Sequence, residues 1–203
     1  MAVKDHTLDE KIIKAAKEEF MLHGFSKASL RQIAKNAGLS TGALYTRYRN
    51  KDELFASLIQ GMLQEIGRQS EEVGRLYQEA GESRNVNLFL EAIRTEEEIY
   101  RNLMFEHYDD CILLFCKSEG SKLWAMMEEK MEQKAKGTVE YFKSLSKGEV
   151  NTMGIELIMS EQLHYYRKVL QKGYDKEKAL KGMKEVEGFL EAGWKNFFEE
   201  VLK

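Results

Sequence analysis

Residues Ser26 to Lys51 read S-K-A-S-L-R-Q-I-A-K-N-A-G-L-S-T-G-A-L-Y-T-R-Y-R-N-K. The stretch carries six cationic side chains (Lys27, Arg31, Lys35, Arg47, Arg49 and Lys51) and no carboxylate, in a chain whose formal net charge is −3. Its local chemistry predicts two short helices joined by a tight turn. Ser29 can cap the first, with Gln32 in the capping-box position three residues on. Ile33, Ala34 and Ala37 supply an apolar face, and Gly38 supplies a left-handed residue to end the helix. Leu39 turns back inward, Ser40 or Thr41 can cap the second helix, and Leu44 and Tyr48 form its buried side. Helix, glycine-containing turn, helix is the pattern that places a second helix in a DNA major groove.

Outward from this stretch the chain reads as all-α. Its 203 residues contain no proline and are rich in helix formers. Thr7 to His23 is expected as a first helix, with Thr7 and Glu10 as a capping box, an inner face of Ile12, Ile13, Ala16 and Phe20, Gly24 as its end and Phe25 folding back over it. Asn50 and Glu53 open a fourth helix with Leu54, Phe55, Leu58, Ile59 and Met62 inside, and no Gly, Ser or Pro linker precedes it. Gly61 to Gly81 is polar with scattered glycines, and E-S-R-N around Ser83 reads as a loop. Helical stretches then follow at Asn87–Lys117, broken near His107 to Asp110, and at Lys122–Ser146, Asn151–Lys172 and Asp175–Lys203. A turn at Gly120 and boundaries at Gly148 and Gly173 separate them. The acidic runs Glu96–Glu98 and Glu128–Glu129 read as solvated faces. No apolar run approaches a membrane span, and no signal-peptide core opens the chain. Cys111 and Cys116, five apart on one expected helix, are poorly placed for a disulfide and suit a reduced, cytoplasmic protein.

The run T-G-A-L-Y-T-R-Y-R-N-K-D-E-L-F, with I-A-K-N-A-G-L-S before it, resembles the DNA-binding region of the TetR family of bacterial regulators, closely over Leu8 to Phe55. The resemblance implies a helix-turn-helix domain over residues 1–50 and a helical ligand-sensing and dimerisation domain over 51–203. It implies a dimeric repressor that binds a palindromic operator in double-stranded DNA and is released by a small molecule. On the expected recognition helix, Thr41, Gly42 and Ala43 are small enough to let the backbone approach base edges, and Thr46 is a groove contact. By resemblance Tyr45 and Arg47 contact the DNA backbone, whereas Tyr48 packs inward. Ser29 and Arg31 match positions where the family touches phosphate or guanine, and Arg31 is the candidate for bidentate guanine readout. Lys51, in the first turn of the fourth helix, would join the helix N-terminus in holding a phosphate.

The last two helices carry more apolar surface than one core-facing stripe needs. In the final one Met183, Val186, Leu190, Trp194, Phe197 and Val201 form the stripe, widened by Phe189 and Phe198. In the TetR family two such helices per subunit make the homodimer interface. The family also encloses a ligand pocket in its middle helices. The candidates here are Tyr100, Phe105, His107, Tyr108, Cys111, Trp124, Met127, His164 and Tyr165, a wall suited to a hydrophobic or aromatic effector. Asp109 or Asp110 would favour a cationic one if turned inward. E-H-Y-D-D-C at Glu106 to Cys111 lacks the tight Cys/His pairing of structural zinc, and no metal or other cofactor is expected. No nucleophile elbow, P-loop, dinucleotide fingerprint or H-E-x-x-H motif points to an enzyme. The alternatives are a DNA-binding module without a ligand and a helical enzyme built on His107 or His164.

Overall fold

The computed structural model describes residues 6–146 and 152–201, and among these it is wholly helical apart from turns. Its α-helices are α1 (His6–Lys27), α2 (Leu30–Asn36), α3 (Thr41–Arg47), α4 (Lys51–Leu58), α5 (Gln60–Ser83), α6 (Val86–Glu106), α7 (Tyr108–Ile112), α8 (Lys122–Leu145), α9 (Met153–Lys172) and α10 (Lys176–Val201). A π-helical turn, Leu113–Lys117, follows α7. The expected cap by the Thr7 side chain, the Gly148 boundary, the helix start at Asn151, the Val201 side chain and the last two residues lie outside the described residues. Among the described residues no helix is long and apolar enough to cross a membrane.

Packing divides the chain into two units: Met1–Gly61 with Asp109–Glu128, and Met62–Tyr108 with Glu129–Lys203. This differs from a boundary after residue 50. Helix α4 and the π-helical turn both pack on α1, because Leu54, Phe55, Leu113 and Leu114 bury apolar side chains that have nowhere else to go. In this first unit Phe20, Phe25 and Phe55 form a ring cluster, with Phe55 edge-on to Phe20 at 4.9 Å and to Phe25 at 5.4 Å. Gly24 interrupts α1 with φ 71°, ψ 168°, the break at which Phe25 turns back into the core. Asp52, in the first turn of α4, accepts the Lys122 backbone N–H at 2.7 Å and so caps the start of α8.

The second unit is held by aromatic packing. Phe142 on α8 is fully buried and sits 4.5 Å from Phe198 and 4.8 Å from Phe197, both on α10, with Phe89 of α6 at 6.0 Å. The polar stretch from Gly61 to Gly81 belongs to one continuous helix, α5, because Met62, Val73 and Ala80 still fall on a single buried face. The E-S-R-N segment narrows to a corner: Arg84 takes φ 51° and Asn85 caps α6 by accepting from the N–H of Asn87 at 2.9 Å. Phe198 is buried while Phe189 is 78% exposed, so only Phe189 of that expected pair widens the outer face. Glu96 and Glu97 are only 7% and 6% exposed, against the reading of Glu96–Glu98 as a solvated face. They lie in helical register with Phe89, Ile93 and Leu103, and the buried side of α6 takes them in.

Replacing Phe142 by Ala is expected to cost about 3–5 kcal/mol of unfolding free energy, measured by chemical denaturation; a loss under about 1 kcal/mol would show that the aromatic cluster does not hold this unit.

Candidate nucleic-acid interface and pocket

The α2–turn–α3 segment is built from side chains that satisfy helix ends. Ser29 caps α2 by accepting the Gln32 N–H at 3.3 Å. The other half of the expected capping box is replaced: the Ser29 N–H donates to Glu19 of α1 at 2.9 Å, while Gln32 bonds Asn36 instead. A buried carboxylate from another helix thus fixes where α2 begins. At its end Leu39 N–H donates to Ala34 O at 2.8 Å and Gly38 N–H to Lys35 O at 3.1 Å, the paired bonds of a Schellman turn. That turn needs Gly38 at φ 74°. Ser40, of the two capping candidates, accepts the Ala43 N–H at 3.1 Å and starts α3 at once.

Nine residues are expected at the nucleic acid: Ser29, Arg31, Thr41, Gly42, Ala43, Tyr45, Thr46, Arg47 and Lys51. Ser29, Arg31 and Thr41 line one surface hollow with Gln32, Lys35, Gly38, Leu39 and Ser40. Lys35 stands one helical turn after Arg31 on the exposed side, and its i+4 spacing from that arginine is the signal that could have found it. Tyr45 is 50% exposed, and Gly42 and Thr46 are exposed as well. The Thr46 hydroxyl donates back to Gly42 O at 3.0 Å. Ala43 is half-buried over the core position of Leu44, and Tyr48 is half-buried where α3 ends.

Arg47 and Lys51 are engaged by the protein itself. Arg47 Nε donates to Asp9 of α1 at 2.9 Å, so the cationic stretch that lacks acids in sequence acquires one in space. The pair ties the C-terminal end of α3 to α1. Lys51 Nζ donates to Ser26 O at 3.2 Å and lies 4.9 Å from the Phe25 ring centroid. Partial burial lowers its pKa from the ordinary lysine value, opposed by the nearby charges of Asp52 and Glu19.

The nine expected pocket residues fall in both units. Cys111, Trp124 and Met127 belong to the first unit. Burial pushes the Cys111 thiol up to about 12, with Asp110 and Cys116 adding to the rise. His107 bonds Glu65 at 3.2 Å within the second unit, so the E-H-Y-D-D-C cluster is parted between the units. Asp109 and Asp110 turn to Lys17, at 3.0 and 3.7 Å, rather than toward a pocket. His164 is exposed, Phe105 and Tyr108 are half-buried, and Tyr100 is a half-buried phenol whose pKa burial raises to about 12.

Tyr165 alone of the nine lines a half-open pocket of about 410 Å³ in the second unit. Tyr77, Phe89, Ile93 and Trp194 supply its apolar wall, Glu96, Glu97, Lys134 and Glu161 its charges, and Leu157, Ile158, Val186 and Leu190 the α9 and α10 sides. Glu96 is fully employed: Lys134 Nζ donates to it at 2.6 Å and the Tyr77 phenol at 2.8 Å. The sequence signal for this cavity is the apolar register of α6, with two carboxylates standing where apolar side chains would be expected.

The family model described as bacterial regulatory proteins, tetR family, matches residues 12–58. The HTH-type transcriptional regulator YhgD of Bacillus subtilis (strain 168) is 31% identical over 61 residues, which are 30% of this chain and 32% of that protein. The match therefore spans about a third of this relative's length. A TetR-like transcriptional regulator from Rhodococcus sp. RHA1 has a similar structure, with TM-score 0.57 at 20% identity, covering 95% of this chain and 100% of that one. MexZ, a repressor responsible for antibiotic resistance in Pseudomonas aeruginosa, is similar with TM-score 0.54 at 16% identity, covering 93% and 94%. At such identities the likeness speaks for the fold alone.

Gly38→Ala should destabilise the first unit by about 1–2 kcal/mol, the cost of a left-handed backbone at a residue with a Cβ. No side-chain collision contributes, since nothing lies within 4 Å of the added carbon. An unchanged denaturation midpoint would mean that the turn adopts another conformation.

Proposed function

We propose that this chain, which belongs to the tetR family of bacterial regulatory proteins, is a dimeric transcriptional repressor that binds a palindromic operator and lets go of it when a small molecule enters the second unit. The observation that carries the DNA reading is the α2–turn–α3 geometry. Both helix starts are capped, the turn is closed by backbone bonds, and Arg31, Lys35, Thr41 and Tyr45 stand at its accessible surface. Arg31 reads a guanine, Lys35 and Tyr45 hold phosphates, and Thr41 with Gly42 lets α3 sit close to base edges. With Nε held by Asp9, Arg47 meets phosphate through its terminal nitrogens, and the remaining Lys51 N–H groups act with the N-terminus of α4.

One such head makes too few contacts for useful specificity, and two heads on a two-fold axis would meet successive major grooves roughly 34–36 Å apart. What supports pairing through α9 and α10 is their exposed apolar surface. Met153 is 62% exposed, Leu157 58%, Ile158 46% and Phe189 78%. The 410 Å³ cavity supports the ligand response.

Selection of bound fragments from genomic DNA is expected to return a palindrome, bound more weakly as salt rises. On that fragment Arg31→Ala should relax the preference at one base pair by about 1–3 kcal/mol, while Lys35→Ala should weaken all sequences alike and flatten the salt slope by about one. Uniform weakening by Arg31→Ala would remove its reading role. Phe189→Glu should convert the dimer to a monomer in sedimentation and take operator affinity down with it; a dimer of unchanged affinity would place the subunit contact elsewhere.

A further inference from the structure

Glu97 is 6% exposed, lines the cavity, and among the described residues has no hydrogen-bond or ion-pair partner. On the same cavity wall the Tyr165 hydroxyl is buried and, among the described residues, has no hydrogen-bond partner. Native interiors rarely leave a buried hydroxyl such as that of Tyr165 unanswered, and the Glu97 carboxylate opens onto the same pocket, where a ligand can reach it. The charges around Glu97 answer it only in part, through Lys134 at a distance. On its own helix Glu96 is a like charge already held by Lys134 of α8, and Arg101 pairs with Glu187 of α10. Arg94 lies 3.5 Å from Glu191 of α10, Glu161 of α9 adds another carboxylate at the cavity, and Tyr77 of α5 donates to Glu96. Lys134 is thus the one cation among the cavity-lining residues, against three carboxylates, and it bonds Glu96 at 2.6 Å. The rest of the wall is aromatic and aliphatic.

We infer that the cavity takes a lipophilic cation, a single positive charge on an aromatic or alkyl body, with the charge set against Glu97 and the body against Phe89, Trp194 and Tyr165. Aromatic faces favour a cation and the apolar lining favours its body. A protonated amine would also donate to the Tyr165 oxygen, whereas a carboxylate ligand would face Glu96, Glu97 and Glu161 and be refused. This rests on the ligand-response reading above and names the chemical class of the effector. Glu97 also makes the site sensitive to pH. Burial first, then Glu187 and Glu96, raise its carboxyl to about 7, with Lys134 opposing. Below that value the proton occupies the place of the cation; above it the carboxylate is bare and binding strengthens.

The test uses two nearly isosteric probes of opposite charge, tetraphenylphosphonium and tetraphenylborate, titrated calorimetrically into the full chain without DNA. Tetraphenylphosphonium is expected to bind and tetraphenylborate to fail. Because the probe cannot titrate, its affinity should rise about tenfold from about pH 6 to about pH 8, as a carboxyl with pKa about 7 ionises. Glu97→Gln should weaken binding about tenfold or more at the upper pH and remove the pH dependence, while Glu97→Asp keeps most of the affinity. Equal binding of both probes, or binding by Glu97→Gln that matches the parent chain, overturns the inference; should Glu97→Gln fail to fold, the probe pair and the pH series on the parent chain decide alone. Operator release is read separately. Release by a neutral compound with no phosphonium binding would keep the ligand-response reading and sink the cation, whereas phosphonium binding without release would do the reverse.

Discussion

The left-handed backbone at Gly38 sets the geometry on which the rest of the first unit turns. With φ at 74° the chain reverses within one residue, and the two bonds from Gly38 and Leu39 back to α2 leave that reversal no freedom. Ser40 then starts α3 immediately, so backbone bonding brings α3 up directly behind α2. Leu44 is buried on the inner side of α3, and the Arg47–Asp9 pair holds the far end of α3 on α1. A helix seven residues long cannot hold itself in water. It is a helix here because both ends are tied, and what is left over is a short rigid element with Thr41, Gly42 and Tyr45 accessible.

Four cations around the turn divide into two kinds. Arg31 and Lys35 stand at the surface hollow, whereas Arg47 and Lys51 are anchored by Asp9, by Ser26 O and by the Phe25 ring. An anchored cation meets a phosphate in a defined place, at the loss of part of its hydrogen-bonding capacity. An extended one adapts to the duplex and loses side-chain entropy on binding. On the proposed reading one surface combines positioning groups with reading groups, the separation that protein–DNA contacts generally display.

In the second unit the physics runs the other way. The aromatic cluster around Phe142 is satisfied by contact alone, and it leaves beside it a cavity whose polar groups are only half satisfied. Glu96 is hydrogen-bonded by its lysine and its phenol, whereas Lys134 acts on Glu97 only through its charge. Low dielectric strengthens whatever interaction reaches such a group and makes its isolation costly, so the site favours a partner of opposite sign. That preference is a property of the protein before any ligand arrives.

The helix-turn-helix was legible because its information is local: Ser29, Gly38, Ser40 and Asn50 act on backbone groups within three or four residues, and the residue types that do this are few. The all-α class followed as directly from the missing proline and the 3.6-residue apolar repeat. Assignments that depended on which distant side chains meet were another matter. The middle-chain aromatics and His107, Cys111 and Trp124 had a suitable composition for a pocket, but composition does not say which of them meet: Cys111 and Trp124 belong to the first unit, and Tyr77, Phe89, Glu97 and Trp194 come together around a pocket of the second. Asp9 meeting Arg47 and Glu19 meeting Ser29 were equally invisible, since nothing within a few residues of either announces the encounter. Sequence alone therefore determined the helices of the first unit, the turn between α2 and α3 and the side chains presented around it, through bonds that each segment makes with itself. Tertiary structure alone decided which charges are paired and which carboxylate is left bare, because burial and pairing depend on helices far apart in the chain.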